Sequence, residues 1–408
     1  MNNHRVVITG LGAVTPFGVG MAPYWAALRE GRHGFTPIRS FDVTGFRQPN
    51  GAQVDFGQLK EARVREGLPE SEPSVDMGLI AAAEALRQAK VERPANRAWA
   101  VIAGSALGCL HGSTTTFESF RAKGLRGVRP TALPRFMNNS LSANISIKFG
   151  LSGPNYTIVS ACASSSAAIG AATRMIRAGL VDGAVAGGSD ATFVPLLVAA
   201  WNNLGILSAQ SDPGLCCRPF DGARDGTALG EGAAMLVLEE REQALARGAP
   251  ILAEIAGYSE NSDAVHLANP SAESQALVIL AALLDAGMTA DELGFIHAHG
   301  TGTVISDRKE AEALRLALGD DTDRIPALSL KSFIGHTQGA CGALETAAAV
   351  MTLLEGVLPG NRNLSQADPA CPIRLAGPQM EPLTRKAGLK TCFGFGGHNT
   401  ALVLKAAE

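Results

Sequence analysis

Long apolar runs are missing from this 408-residue chain; no uninterrupted stretch could span a bilayer, which excludes a membrane-crossing helix. Net charge is nearly missing too. A formal balance of -3 gives no global attraction to nucleic acid or to an anionic membrane. The opening MNNHRVVITG has no basic-then-apolar order of the kind that marks a signal peptide. Seven cysteines are scattered, and none are paired at metal-site spacing; Cys216 and Cys217 are adjacent, a poor arrangement for a shared zinc. These absences point to free thiols in a reducing, cytoplasmic compartment, with no metal centre. Only three tyrosines occur, which discriminates no pathway.

What is present is ordinary globular material, 46% hydrophobic and 18% charged, with 46 glycines for tight turns and close backbone approaches. The length allows two domains or one large duplicated fold. Residues 5–9 (RVVIT) read as a strand followed by Gly10-Leu11-Gly12. That start suggests a dinucleotide site, but Thr15 replaces the third glycine and Pro16 follows where a helix should run. Residues 22–30 and 75–90 read as helices, 36–60 as irregular, and 98–103 as a strand. Residues 119–130 carry Arg121, Lys123, Arg126 and Arg129 on a glycine-broken segment. It reads as a solvated loop or as a dock for an acidic partner.

Tyr156–Val159 reads as a buried strand and Ala167–Leu180 as a helix, so Cys162 sits where a strand turns into a helix. Free N–H groups at a helix start favour negative charge, which suits a nucleophilic thiol. A buried structural cysteine is the competing reading. A strand at 182–186 then completes a βαβ unit. Residues 192–207 are apolar around Trp201, a strand spans 233–238, and a charged helix spans 239–247. Pro250 marks the internal boundary, giving halves 1–250 and 251–408. The second half offers a strand at 251–256, a helix at 272–287, a strand at 293–298 and helices at 307–317 and 340–354. Residues 391–401 read as a glycine loop before a last strand at 402–405. Strand–helix alternation in both halves gives a duplicated α/β fold.

Four loops concentrate the chemistry: ACASS at 161–165, HGTGT at 299–303, KSFIGHTQGACG at 331–342 and FGFGGHN at 393–399. Each lies at a strand end or a helix start, where ligands bind in α/β sheets. A nucleophilic Cys with distant histidines is a known catalytic pattern. Together with VVITGLGAVTPFG at 6–18 and GPN at 153–155, these motifs run in order along nearly the whole chain. The chain thereby resembles the β-ketoacyl-acyl-carrier-protein synthases, elongating condensing enzymes of the thiolase superfamily.

The resemblance implies a layered α-β-α-β-α fold with two mixed sheets, the first half carrying the nucleophile and the second the two histidines. It implies that Cys162 takes an acyl group from a phosphopantetheine thioester. His299 and His336 would stabilise the enolate formed as malonyl thioester loses carbon dioxide. Lys331 matches the family's active-site lysine and Glu345 its acidic partner, with Asp307 and Glu310 behind the HGTGT loop. Thr301 and Thr303 would hold the pantetheine arm. Phe395 would gate the site and share an oxyanion hole with the N–H of Cys162. Leu107 and Trp201 would line the acyl pocket. Lys60, Arg63 and Arg65 would join the 121–129 cluster as a carrier-protein dock. No cofactor or metal is implied; the partners are acyl carrier protein and a second ketosynthase-like chain, identical or paralogous. The sequence departs from the pattern at His398, where many relatives have Thr. Cys392 lies in the C-terminal region, where thiolases use a second cysteine as a base, so a coenzyme A thiolase is one alternative. An inactive chain-length partner is another.

Overall fold

A computed structural model describes residues 4–91 and 99–407. Ten strands follow one another across a single sheet, and an eleventh, Gly18–Val19, pairs with Val6–Thr15. Each half of the sheet repeats one plan. The first strand of the half (Val6–Thr15, or Ala253–Ser262) runs antiparallel to the last (Gly232–Glu240, or His398–Ala406). That strand is antiparallel to its predecessor (Gly183–Asp190, or Ala387–Gly394). Two parallel neighbours complete each half: Ala100–Gly104 with Asn155–Ile158, and Phe295–His297 with Ala327–Leu328. The duplication, which leaves no obvious repeat in the sequence, is thus plain in strand order and direction. The two expected sheets are joined edge to edge, because Val6–Ile8 pair antiparallel with Ala253–Ile255.

Between the two halves of the sheet lie the helices Ser164–Arg177 and Cys341–Glu355, packed on each other. Both are rich in small residues, Ser and Ala in the first and Ala in the second, which lets two backbones approach. One continuous core joins them to strands of both halves, from Ile8 and Leu236 to Leu402 and Leu404. Outer helices complete the five layers: Pro73–Gln88 on one side, Ala272–Ala286 and Val304–Leu318 on the other. The glycines of the first strand serve this packing. A Cβ on Gly10 would stand 2.0 Å from the Ala85 carbonyl oxygen, and one on Gly12 1.9 Å from that of Ala81. They seat a helix against the sheet and approach no nucleotide, and the strand continues through them to Thr15.

Several elements differ from the sequence reading. Residues 56–65 form a helix capped by Asp55, whose carboxylate accepts from the N–H groups of Gly57 and Gln58. Its mostly polar surface hides the helical period. Residues 119–130 are the end of the Leu110–Lys123 helix and a 3₁₀ turn at Gly124–Gly127. The strand before Cys162 is an edge strand, with Tyr156 and Val159 both more than half exposed. Residues 391–401 are two long strands meeting at a tight turn, where Gly396 and Gly397 adopt φ of 86° and 77°. Ala98 of the expected 98–103 strand lies outside the described residues.

Candidate active site

The strand ending at Ile158 reaches the central helix through a strained turn, with Ala161 at φ 50°. Ser164 stabilises that turn: its Oγ donates to the Ala161 carbonyl at 2.6 Å and accepts from the Ser160 N–H at 2.9 Å. This geometry projects Cys162 at the head of the Ser164–Arg177 helix. Cys162, His299 and His336 converge there, with the sulfur and a ring nitrogen of each histidine all within 4.8 Å of one another. The two imidazoles stand edge to face, centroids 5.8 Å apart.

Hydrogen bonds fix which ring nitrogen of each histidine faces the nucleophile with a proton. The Gln338 N–H donates to Nδ1 of His336 at 3.1 Å. A backbone N–H can only donate, so Nδ1 accepts and the ring proton sits on Nε2. His299 is held by Lys331, whose ammonium has three donors and finds three acceptors: Glu345 Oε1 at 2.6 Å, the His299 carbonyl at 2.5 Å and His299 Nδ1 at 3.3 Å. His299 is therefore also an Nε2–H donor. Burial holds its pKa well below the ordinary histidine value, and the positive charge of Lys331 adds to this, so the ring is neutral. For Lys331 burial is the largest influence and opposes the charge, but Glu345 together with Cys341 and Cys392 outweighs it and raises the pKa. For Glu345 burial likewise opposes ionisation, and the Lys331 and Lys390 ammoniums overcome it.

Asp307 and Glu310 stand three residues apart on the Val304–Leu318 helix and grip the HGTGT loop by its backbone. Glu310 accepts from the N–H groups of His299 and Gly300 at 2.7 and 2.6 Å; Asp307 accepts from Gly302 at 3.1 Å and Phe220 at 2.8 Å. Burial pushes Glu310 up to about 7 and Asp307 to about 6. Thr301 and Thr303 share a hydroxyl contact of 2.9 Å and line the cleft above Cys162. That cleft is narrow, about 60 Å³, and Trp201 and Phe395 also line it. Trp201 stacks on Phe395, centroids 5.9 Å apart, and tilts against His336 at 5.6 Å. Behind Phe395, a Cβ on Gly394 would stand 2.8 Å from the Ser160 carbonyl, so the turn abuts the nucleophile's backbone.

Leu107 does not line this cleft; it is half-buried and its N–H donates to Asp190 at 3.2 Å. Cys392 does not line it either. Its thiol donates to the Cys162 carbonyl at 3.1 Å, and burial pushes it up to about 12, both unsuited to a base. His398 is exposed at the strand start beyond the turn. The two basic stretches border a common groove of about 590 Å³, where Lys60, Arg63 and Arg129 meet. Arg63 is already paired with Glu70 and Asp76, both at 3.7 Å, and Arg65 with Glu66 at 3.8 Å; Arg121, Lys123, Arg126 and Arg129 are exposed. Sequence reasoning missed Lys390 and His297, both buried beside Glu345, and the Gln338 N–H that sets the tautomer of His336.

A duplicated thiolase-like fold with a thiol and two neutral imidazole donors in one cleft defines a condensing acyltransferase. Residues 3–244 match the β-ketoacyl synthase N-terminal domain and residues 252–365 the C-terminal domain. The chain is 35% identical to 3-oxoacyl-[acyl-carrier-protein] synthase 2 of Synechocystis sp., over 99% of each chain. Its fold is similar to the ishigamide ketosynthase/chain length factor (TM-score 0.92, 32% identity, all of both chains). It is equally similar to a type II polyketide ketosynthase solved with its acyl-carrier protein and bound to a hexaketide (TM-score 0.92, 29% identity, all of both chains). The chain belongs to the β-ketoacyl synthase family, and is a condensing enzyme of fatty-acid or polyketide chain elongation.

Proposed function

We propose that Cys162, His299 and His336 carry a decarboxylative Claisen condensation in two stages. The Cys162 sulfur attacks the carbonyl carbon of an acyl phosphopantetheine thioester, and the pantetheine thiol leaves. A malonyl thioester then enters along Thr301 and Thr303. Its carbonyl oxygen accepts from the Nε2–H groups of His299 and His336. The bond to the carboxylate breaks, carbon dioxide leaves, and its electron pair forms the enolate. The enolate carbon attacks the acyl-Cys162 carbonyl, and the Cys162 sulfur departs from the tetrahedral intermediate. The N–H groups of Cys162 and Phe395 hold the oxyanion of both thioester steps. Neutral donors suit this chemistry, because they stabilise the enolate without protonating its carbon. The observation that carries the reading is the convergence of the sulfur and both imidazoles within 4.8 Å. The reaction needs neither metal nor redox cofactor.

We assign the nucleophile to a half spanning residues 1–250 and the histidines to one spanning 251–408. The partners are acyl carrier protein, as in the solved ketosynthase complex, and a second ketosynthase-like chain. The unpaired edge strand Asn155–Ile158, with Tyr156 and Val159 exposed, supports the second partner. All seven cysteines are free and buried, and among the described residues no helix is long and apolar enough to cross a membrane; both support a cytoplasmic setting. Trp201 stands as an acyl-pocket residue because it lines the cleft, which Leu107 does not.

The test is intact mass after mixing with acyl carrier proteins bearing short saturated to polyunsaturated chains. The expected result is a mass increase of one acyl group that disappears in Cys162→Ala. No loading from any chain would overturn the reading and favour an inactive partner subunit. For the dock, Lys60→Glu and Arg126→Glu should each lower kcat/KM for carrier-protein substrates on the order of tenfold at low salt, with the gap closing as salt rises. Unchanged kinetics at low salt for both would remove the two basic stretches as the docking site.

A further inference from the structure

Lys390 lies in the middle of the Ala387–Gly394 strand and is 1% exposed. Its ammonium sits 3.2 Å from Glu345 Oε2 and donates to Ser166 Oγ at 3.1 Å. The other oxygen of the same carboxylate is taken by Lys331 at 2.6 Å. One buried carboxylate thus stands between two buried ammoniums. The adjacent His297 adds no counter-charge: its ring is fully buried, and neither nitrogen has a partner. A core with a cationic excess is costly unless each charge is held close to a partner. Here the links run by hydrogen bond from Lys390 to Ser166 and from Lys331 to Glu345, and by charge alone between Lys390 and Glu345 Oε2, which accepts no hydrogen bond. Ser166 belongs to the first turn of the nucleophile's helix, and Lys331 holds both the carbonyl and Nδ1 of His299.

We propose that Lys390 is a positioning residue for condensation, coupling the Cys162 helix to His299 through Ser166, Glu345 and Lys331. Its positive charge holds one oxygen of Glu345 beside it, so that the other stays on Lys331. Lys331 in turn keeps the Nε2–H of His299 aimed into the cleft. Without Lys390 the carboxylate is free to turn, and to draw Lys331 away from His299. The step that suffers is the one that uses His299, namely enolate formation, while the sulfur of Cys162 still accepts an acyl group. The inference rests on the roles proposed above for Cys162 and His299.

The experiment compares wild type, Lys390→Ala, Lys390→Met and Lys390→Gln in three assays: acyl loading by intact mass, carbon dioxide release from malonyl carrier protein, and thermal unfolding. Wild-type loading and decarboxylation test the underlying roles, so their failure is separable from failure of this proposal. In Lys390→Ala, loading should stay within about twofold and decarboxylation should fall about 10²-fold, as expected when a catalytic group is displaced by about an ångström. Methylammonium chloride should restore part of that loss in Lys390→Ala, whose cavity admits it, and none in Lys390→Met. A folded Lys390→Met with wild-type decarboxylation would overturn the proposal. So would a parallel loss of loading and decarboxylation that tracks unfolding and ignores the amine. If the Ala and Met variants do not fold, Lys390→Gln decides. It keeps a neutral donor for Ser166 but removes the charge beside Glu345, and should lose about tenfold in decarboxylation alone, the order of one polar contact; wild-type decarboxylation in that variant would overturn the proposal.

Discussion

His336→Ala should cut malonyl decarboxylation by about 10²–10³-fold, the loss measured when one donor to a developing oxyanion is removed from a closed site. The reason is directional. The Gln338 N–H occupies Nδ1 at 3.1 Å, so the only proton of the neutral ring is on Nε2, and a nitrogen of this ring lies within 4.8 Å of the Cys162 sulfur. Gln338 holds its position at φ 53°, an uncommon conformation for a residue with a side chain, in a fully packed turn. The ring is therefore held by backbone as well as by its neighbour Trp201 at 5.6 Å. His299→Ala should lose a similar factor, with a further loss because Lys331 forfeits one of its three acceptors. The double variant should be only slightly worse than either single one, since both donors serve one oxygen. Carbon dioxide release in a single turnover, after Cys162 has been acylated, isolates the step. Either variant retaining half of the wild-type rate would remove that histidine from the oxyanion site.

The nucleophile and both histidines were legible because each sits in a short loop rich in glycine, serine or threonine. The fold class was legible from strand–helix alternation. What the sequence concealed follows from long-range packing. Gly10 and Gly12 look like a nucleotide loop, yet their missing Cβ atoms admit carbonyls of a helix some seventy residues away. The glycines at 394–397 look like a loop, yet the flanking residues pair in register from Ala387 with Lys405 to Gly394 with His398. Tyr156–Val159 has the composition of a buried strand, but composition cannot tell a central strand from an edge awaiting another chain. Lys390 and His297 lie within strands whose other residues are largely apolar. Their meeting with Glu345 from the Cys341–Glu355 helix depends on three elements far apart in sequence.

That meeting sets an order of severity that charge counting alone would miss. Lys331→Met should abolish the ammonium on His299 Nδ1 and on its carbonyl, and reduce condensation by about 10²-fold or more through misdirection of Nε2–H. Its effect on folding should be the milder one, because Glu345 keeps Lys390 at 3.2 Å as counter-charge. Glu345→Gln is the opposite case. It leaves Lys331 and Lys390, each 1% exposed, with no carboxylate between them and neutral His297 alongside. Removing one partner of a buried pair costs about 3–5 kcal/mol, and here one removal strands two ammoniums. Glu345→Gln should therefore unfold at a clearly lower urea midpoint than Lys331→Met, although it is the smaller change in shape. Urea titration of the two purified variants, with loading of Cys162 as the check on folding, measures the order. If Lys331→Met is the less stable protein, Glu345 is balanced chiefly by Lys331, and the second lysine contributes little to holding the carboxylate.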